Sequence, residues 1–184
     1  METTLKNKKL TKFENFAMYF FIYSFLGWFF ETLYAIYELG EYTNRGFLFG
    51  PLCPIYGYAA LMLIMFLGKY KKNSFKLFLY SAIIFSAFEY IVSFGLEGLF
   101  RSHWWDYSNE FFNLNGRVSV FFTVVWGVAA LLFLNHFHPY IKKFLRKRTF
   151  KKIPILIQKI SIYLLITVYT VDSIASMLIE SSIL

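Results

Sequence analysis

The sequence is poor in charged residues and in cysteine. Charged residues occupy 16% of the 184 positions, while hydrophobic residues occupy 58%. Ordinary soluble domains carry about 25% charged residues. A chain of this composition needs lipid as its solvent. The single cysteine, Cys53, has no partner for an internal disulfide, so the fold depends on packing.

Familiar motifs of catalysis and cofactor binding are also missing. Gly68-Lys69 lacks the preceding glycine and the following Ser or Thr of a phosphate-binding loop. No HExxH pattern involves the histidines, and no serine lies in a GxSxG setting. We therefore expect no cofactor, no metal ion and no nucleotide hydrolysis by this chain.

Five apolar runs approach or exceed the length that crosses a bilayer, which is about 20 residues. They cover residues 16–37, 51–68, 75–100, 118–137 and 153–179. The sequence predicts an all-α integral membrane protein with about five transmembrane helices in one membrane domain, residues 1–184. Its parts are a basic N-terminus (1–15), a four-helix core (16–137), a cationic interfacial segment (138–152) and a fifth helix (153–184).

Basic residues are concentrated in alternate connections. Fifteen of the nineteen lysines and arginines lie before the first run, between the second and third (counting Lys76 at the edge of the third), or between the fourth and fifth. The positive-inside rule then predicts a cytoplasmic N-terminus and an outside C-terminus. The expected location is a bacterial inner or plasma membrane, crossed several times. Because the basic runs are short and flank apolar spans, we expect contact with membrane lipids and not with nucleic acid.

Three carboxylates lie at membrane depth: Glu31, Glu89 and Asp172. Placing a charged side chain there costs about 2.5–3.5 kcal/mol on insertion scales. Each carboxylate therefore needs a partner or a wet cavity. The candidate partners are the arginines of the two outer connections, Arg45, Arg101 and Arg117.

The two halves of the chain contain a similar series of residues. The first half has Phe30-Glu31, Asn44-Arg45-Gly46 and Tyr56-Gly57, and the second has Phe88-Glu89, Asn115-Gly116-Arg117 and Trp126-Gly127. This similarity predicts a parallel repeat of helices 1–2 and 3–4, related by an axis along the membrane normal. Chance similarity between two aromatic-rich segments is the alternative.

Two outer segments could contact a ligand. Residues 44–58, NRGFLFGPLCPIYGY, contain three glycines and two prolines, and a helix N-terminus beside Arg45 would favour an anionic group. The alternative is a tight turn with Arg45 paired to a nearby glutamate. Residues 101–117 concentrate Trp, Tyr, Asp and Arg, which is typical of an interfacial aromatic belt or of a rim that recognises a polar ligand.

These motifs also carry a family resemblance. Its residues are Phe30-Glu31, segment 44–58, Phe88-Glu89, Leu96-Glu97, Trp105-Asp106-Tyr107-Ser108, Asn115-Gly116 and Trp126-Gly127. Over roughly residues 20–137 the chain resembles the bacterial ABC-transporter type IV family, also called CmpB. The resemblance implies a permease that works with a separate ATPase chain, and it implies no particular substrate.

The leading hypothesis is a permease-like or substrate-binding membrane subunit with an outward-facing pocket for a small polar or lipid-headgroup ligand. The candidate ligand-binding residues are Glu31, Asn44, Arg45, Glu89, Glu97, Arg101, Trp105, Asp106, Tyr107, Asn115, Arg117 and Trp126. One alternative is an intramembrane enzyme that acts on a lipid or isoprenoid with paired carboxylates. Another is a structural or regulatory subunit. A separate ATPase, another membrane subunit or a second copy of the chain are the expected protein partners.

Overall fold

A computed structural model describes residues 9–43, 45–101, 105–145 and 153–183. Within these ranges the chain forms five helices and one short hairpin. The helices are α1 (Lys12–Leu39), α2 (Pro54–Tyr70), α3 (Ser74–Phe100), α4 (Val120–Leu145) and α5 (Ile155–Ile183), and the strands are β1 (Asn113–Leu114) and β2 (Val118–Ser119).

Four helices are long and apolar enough to cross a membrane. They are α1, the Ser74–Leu99 part of α3, α4, and the Ile155–Ile179 part of α5. Helix α2 is apolar but shorter. The prediction of a helical, multi-pass membrane protein is thus confirmed, and four of its spans are accounted for by length and composition.

The start of α1 is fixed by a capping box. The backbone N–H of Glu14 donates to Thr11 Oγ1 at 3.2 Å, and the backbone N–H of Thr11 donates to Glu14 Oε2 at 2.7 Å. Such reciprocal bonds satisfy donors that a helix start otherwise leaves free. Lys159 of α5 lies 3.3 Å from the other oxygen of Glu14, so the same buried carboxylate also holds α5.

Helices α2 and α4 each contain one π-helical turn, at Leu63–Leu67 and Phe133–Phe137. Helix α4 continues through its turn into His138–Leu145. The predicted interfacial segment 138–152 therefore begins as the last turns of α4 and not as a separate helix, because the backbone hydrogen bonding continues across residue 138. The rest of that segment, residues 146–152, lies outside the described residues.

The chain divides into two compact units. The first unit comprises the described parts of Met1–Leu61 and Leu145–Ile179, and it holds α1, the start of α2 and most of α5. The second comprises the described parts of Met62–Phe144 and Glu180–Leu184, and it holds the end of α2, α3, the hairpin and most of α4. A single domain over residues 1–184 stays a prediction.

The hairpin of the second unit places the start of α4. Asn113 pairs with Ser119 and Leu114 with Val118. The turn between them has positive φ at Asn115 (54°) and Gly116 (67°), which Asn-Gly pairs adopt readily. Ser119 then caps α4, because its Oγ accepts the backbone N–H of Phe122 at 3.3 Å.

Candidate functional site

In the first unit, glycines bring α1 and α2 into close contact. A Cβ on Gly27 would overlap the ring of Tyr56 and lie 2.7 Å from the Cβ of Tyr56. A Cβ on Gly57 would overlap Ser24 Oγ and lie 2.6 Å from the ring of Phe20. The two helices can approach this closely only because neither glycine has a side chain.

The close approach places Tyr56 against Glu31. The Tyr56 hydroxyl donates to Glu31 Oε1 at 2.5 Å. Just before α2, the backbone N–H of Cys53 donates to the carbonyl of Ser24 in α1 at 3.0 Å. Among the described residues Glu31 has no second hydrogen-bond donor and no ion-pair partner. A half-buried carboxylate of α1 is therefore held through one of its two oxygens.

The Gly- and Pro-rich segment before α2 is held by Asp172 of α5. Asp172 Oδ1 accepts the backbone N–H of Phe49 at 3.1 Å, and Oδ2 accepts that of Gly50 at 2.9 Å. Successive backbone N–H groups form a small anion-binding concavity. The preference of this segment for an anionic group is thus met by a carboxylate of the chain itself.

Two predicted arginines make no ion pair in the described part of the chain. Arg45 is half-buried in the segment before α2. Arg101 is exposed and ends α3 with a left-handed backbone (φ 48°), its N–H donating to the carbonyl of Glu97 at 2.8 Å. Asn44, another predicted site residue, lies outside the described residues.

In the second unit, Glu89 of α3 is held through both oxygens. The Tyr107 hydroxyl donates to Oε1 at 3.0 Å, and the Trp126 indole N–H donates to Oε2 at 2.9 Å. The Glu89 side chain is buried, with 7% exposure. Burial raises the pKa of Tyr107 and the Glu89 carboxylate raises that pKa further, so Tyr107 keeps the proton that it donates. Phe122 stacks on the Tyr107 ring at 4.3 Å between centroids.

Arg117 of the hairpin turn lies over the end of α3. Its guanidinium pairs with Glu97. The same group lies 5.6 Å from the ring centroid of Tyr90 and 5.7 Å from that of Phe94, within the range of cation–π attraction. Asn115 donates to the Tyr90 hydroxyl at 2.9 Å. The hairpin is therefore anchored to α3 by one charge pair and two aromatic side chains.

The segment before the hairpin folds onto it through Trp105 and Asp106. The Trp105 indole donates to the backbone carbonyl of Arg117 at 3.1 Å. Asp106 Oδ1 accepts the backbone N–H of Ser108 at 2.8 Å and its hydroxyl at 2.5 Å. These are contacts that shape the loop, and they bring Tyr107 to Glu89.

Comparison with known protein families shows which family the chain belongs to. The sequence model of the family described as "Putative ABC-transporter type IV" matches residues 18–177. The chain belongs to the CmpB family. No curated protein and no solved structure gives a significant match. The family match extends into α5, beyond the roughly 20–137 expected from the motifs.

The structure of this CmpB-family chain gathers the predicted site residues in two places. Glu31 and Arg45 lie in the first unit. The second unit holds the remaining described candidates, namely Glu89, Glu97, Arg101, Trp105, Asp106, Tyr107, Asn115, Arg117 and Trp126. The described part of segment 101–117 thus supplies the partners of Glu97 and one of the partners of Glu89.

Among the described residues, none of the three membrane-depth carboxylates pairs with one of the expected arginines. Glu31 accepts a hydrogen bond from a phenol, and Glu89 accepts one from a phenol and one from an indole. Asp172 accepts hydrogen bonds from two backbone N–H groups. Neutral donors satisfy carboxylate oxygens without the desolvation of a second charge.

One residue that contacts a candidate carboxylate, Tyr56, was missing from the predicted site residues. Tyr56 precedes Gly57 as Trp126 precedes Gly127, and both aromatic residues donate to a carboxylate of the preceding helix. Since Trp126 was a candidate, its counterpart Tyr56 could have been identified from the same similarity.

The only cysteine gives a direct test of packing in the first unit. Cys53 is 7% exposed, so we expect the folded protein in detergent to resist a maleimide that labels it fully after denaturation. Tyr42→Cys places a thiol where the native side chain is 65% exposed, and this variant should label once without denaturation. Rapid labelling of folded wild-type protein, followed by intact mass spectrometry, would contradict the packing around Cys53.

Proposed function

We propose that this CmpB-family chain is the membrane-spanning, permease-type subunit of a transporter, and that its intramembrane carboxylates bind a small polar or lipid-headgroup ligand from the outer side. The observation that supports this proposal is the nature of their partners. Glu31 and Glu89 lie in membrane-spanning helices and accept hydrogen bonds only from neutral donors among the described residues. Ionisable groups in spans typically mark ligand, ion or proton paths.

The proposed topology has five spans, with the N-terminus in the cytoplasm and the C-terminus outside. Helix α2 has 17 residues, which at 1.5 Å per residue is about 26 Å. This length is at the lower limit for a hydrocarbon core of about 30 Å. The orientation rests on the lysines and arginines of the alternate connections. The proposed location is a bacterial inner or plasma membrane.

The proposal includes a duplicated two-helix unit, and matched contacts support it. Phe20 meets Gly57 as Phe78 meets Gly127, and Tyr56 binds Glu31 as Trp126 binds Glu89. The positions on α1 and α3 differ by 58 in both pairs, and those on α2 and α4 differ by 70. The two π-helical turns are also 70 positions apart.

A transporter of this class needs a source of energy. Because the sequence has no phosphate-binding loop, we propose that a separate ATPase chain supplies it. Bilayer lipids, another membrane subunit or a second copy of this chain would complete the assembly. A neighbouring reading frame that encodes an ATPase would support this arrangement.

Isosteric substitution of the carboxylates tests the function. A thermal-stability screen of polar small molecules on protein in lipid nanodiscs should yield compounds that stabilise the wild type, by about 2.7 kcal/mol at a hundred times Kd. Glu31→Gln or Glu89→Gln should remove that shift, and uptake of the same compound into vesicles should fall with it.

Glu110→Gln is the matched control, because Glu110 is exposed in the loop before the hairpin. This variant should keep both the stabilisation and the uptake. Wild-type uptake by both the Glu31 and the Glu89 variants would refute the proposed function. Size-exclusion profiles of the variants show whether a loss reflects misfolding.

A further inference from the structure

The two intramembrane glutamates differ in how many of their oxygen atoms are already bonded. Glu89 has a donor on each oxygen and is 7% exposed. Glu31 is half-buried and has one donor, on Oε1. No donor among the described residues bonds to Glu31 Oε2, and in this respect Glu31 differs from Glu89.

We propose that Glu31 is the carboxylate that contacts the ligand, that Glu89 is its structural counterpart, and that the ligand group bound by Glu31 is an organic ammonium ion. This inference rests on the proposed function and specifies its ligand class. Glu89 holds the Tyr107 loop to α3 and α4, and its burial, with 7% exposure, keeps a ligand from reaching its oxygens.

Charge and aromatic surface together favour an ammonium group. No cationic side chain pairs with Glu31 in the described part of the chain. The ring of Tyr56 lies directly on Gly27, one turn before Glu31. Trp28, three residues before Glu31, occupies the adjacent position on the helix surface. Aromatic rings beside a carboxylate are the groups that recognise organic ammonium ions.

The same surroundings do not suit a metal ion. A hard cation such as Ca²⁺ takes six to eight oxygen ligands. Glu31 and the Tyr56 hydroxyl offer few, and the described residues contain no group of three or more His, Cys, Asp or Glu side chains that could hold a metal. An ammonium ion needs only one carboxylate oxygen and a ring face.

Modification with dicyclohexylcarbodiimide tests both parts of the inference in wild-type protein. An accessible carboxyl group in a membrane transfers its proton to a carbodiimide nitrogen and adds through oxygen to the carbodiimide carbon, and peptide mass spectrometry locates the resulting adducts. We expect Glu31 to react about tenfold faster than Glu89, which is roughly the factor that one additional hydrogen bond to a charged group is worth. Tetramethylammonium chloride should slow the modification of Glu31, while sodium chloride at equal ionic strength should not.

Each outcome has a distinct meaning. Equal reaction rates of the two glutamates, or equal protection by both salts, would overturn the inference. Dependence of the Glu31 reaction on pH alone, without protection by tetramethylammonium, would identify a proton site and also overturn the ligand class. Glu110→Gln, the exposed-loop control, should leave the protection of Glu31 unchanged, and loss of protection in this variant would overturn the assignment of the ammonium site to Glu31.

The test also separates this inference from the proposed function. Protection of Glu31 without any uptake into vesicles would support an ammonium site in a protein that is not a permease. Loss of uptake in Glu31→Gln without protection by tetramethylammonium would support the permease and refute the ammonium ligand. The carbodiimide measurement uses wild-type protein, so it stands even where Glu31→Gln does not fold.

Discussion

Gly27→Ala should destabilise the protein by about 1–3 kcal/mol, the usual cost of overpacking a well-packed contact. The added methyl would overlap the Tyr56 ring and lie 2.7 Å from the Cβ of Tyr56. A ring can rotate away, but a Cβ is fixed to the backbone, so α2 has to move from α1. The movement should also break the Tyr56–Glu31 hydrogen bond. Thermal unfolding in detergent, at matched protein concentration, measures the loss.

Gly95→Ala is the matched control for this prediction. Gly95 is also in the interior of a helix, and nothing lies within 4 Å of the Cβ that it would gain. Alanine is favoured over glycine in a helix interior by about 0.5–1 kcal/mol, so this variant should be as stable as wild type or slightly more so. A Gly27 variant that unfolds at the same temperature as the Gly95 variant would contradict the close α1–α2 contact.

Asp172→Ala should loosen the segment before α2. The substitution removes the acceptors of the Phe49 and Gly50 backbone N–H groups. Neither donor is fully buried, so the loss is that of ordinary hydrogen bonds, about 0.5–1.5 kcal/mol each. We expect faster amide hydrogen exchange at these two residues and a lower unfolding temperature. Asp172→Asn keeps one carbonyl oxygen as an acceptor. Its exchange rates and its unfolding temperature should therefore lie between those of the wild type and of Asp172→Ala.

The control for the Asp172 series is Ser176→Ala. Ser176 contacts Asp172 Oδ1 only at 3.4 Å, which is long for a hydroxyl hydrogen bond, so its removal should change exchange at Phe49 and Gly50 very little. Unchanged exchange in Asp172→Ala would show that the carboxylate does not hold this segment.

The helices could be predicted from the sequence because apolar length is a local property. The predicted run 75–100 corresponds to Ser74–Phe100, and the run 153–179 to Ile155–Ile183. The least accurately predicted boundary is the end of α4. The apolar run stops at residue 137, but the helix continues to Leu145. Hydropathy falls there because Lys142 and Lys143 enter the sequence, but helical hydrogen bonding does not depend on hydropathy and continues to Leu145.

The partners of the carboxylates could not be predicted in the same way, because they depend on contacts between distant residues. Tyr56 lies 25 positions from Glu31, and Trp126 lies 37 positions from Glu89. Charge alone favoured the arginines, whereas helix packing decides which donor comes within reach. The role of Asp172 was similarly hidden, since its backbone partners are more than 120 positions away.

The π-helical turns of α2 and α4 bear on the history of the protein. Such a turn contains one more residue than regular α-helix and is rare. Its occurrence at Leu63–Leu67 and again 70 positions later means, on the proposed duplication, that the extra residue was inserted once, in an ancestor with a single two-helix unit. On this account the irregular helix is older than the duplication, and both copies have kept it.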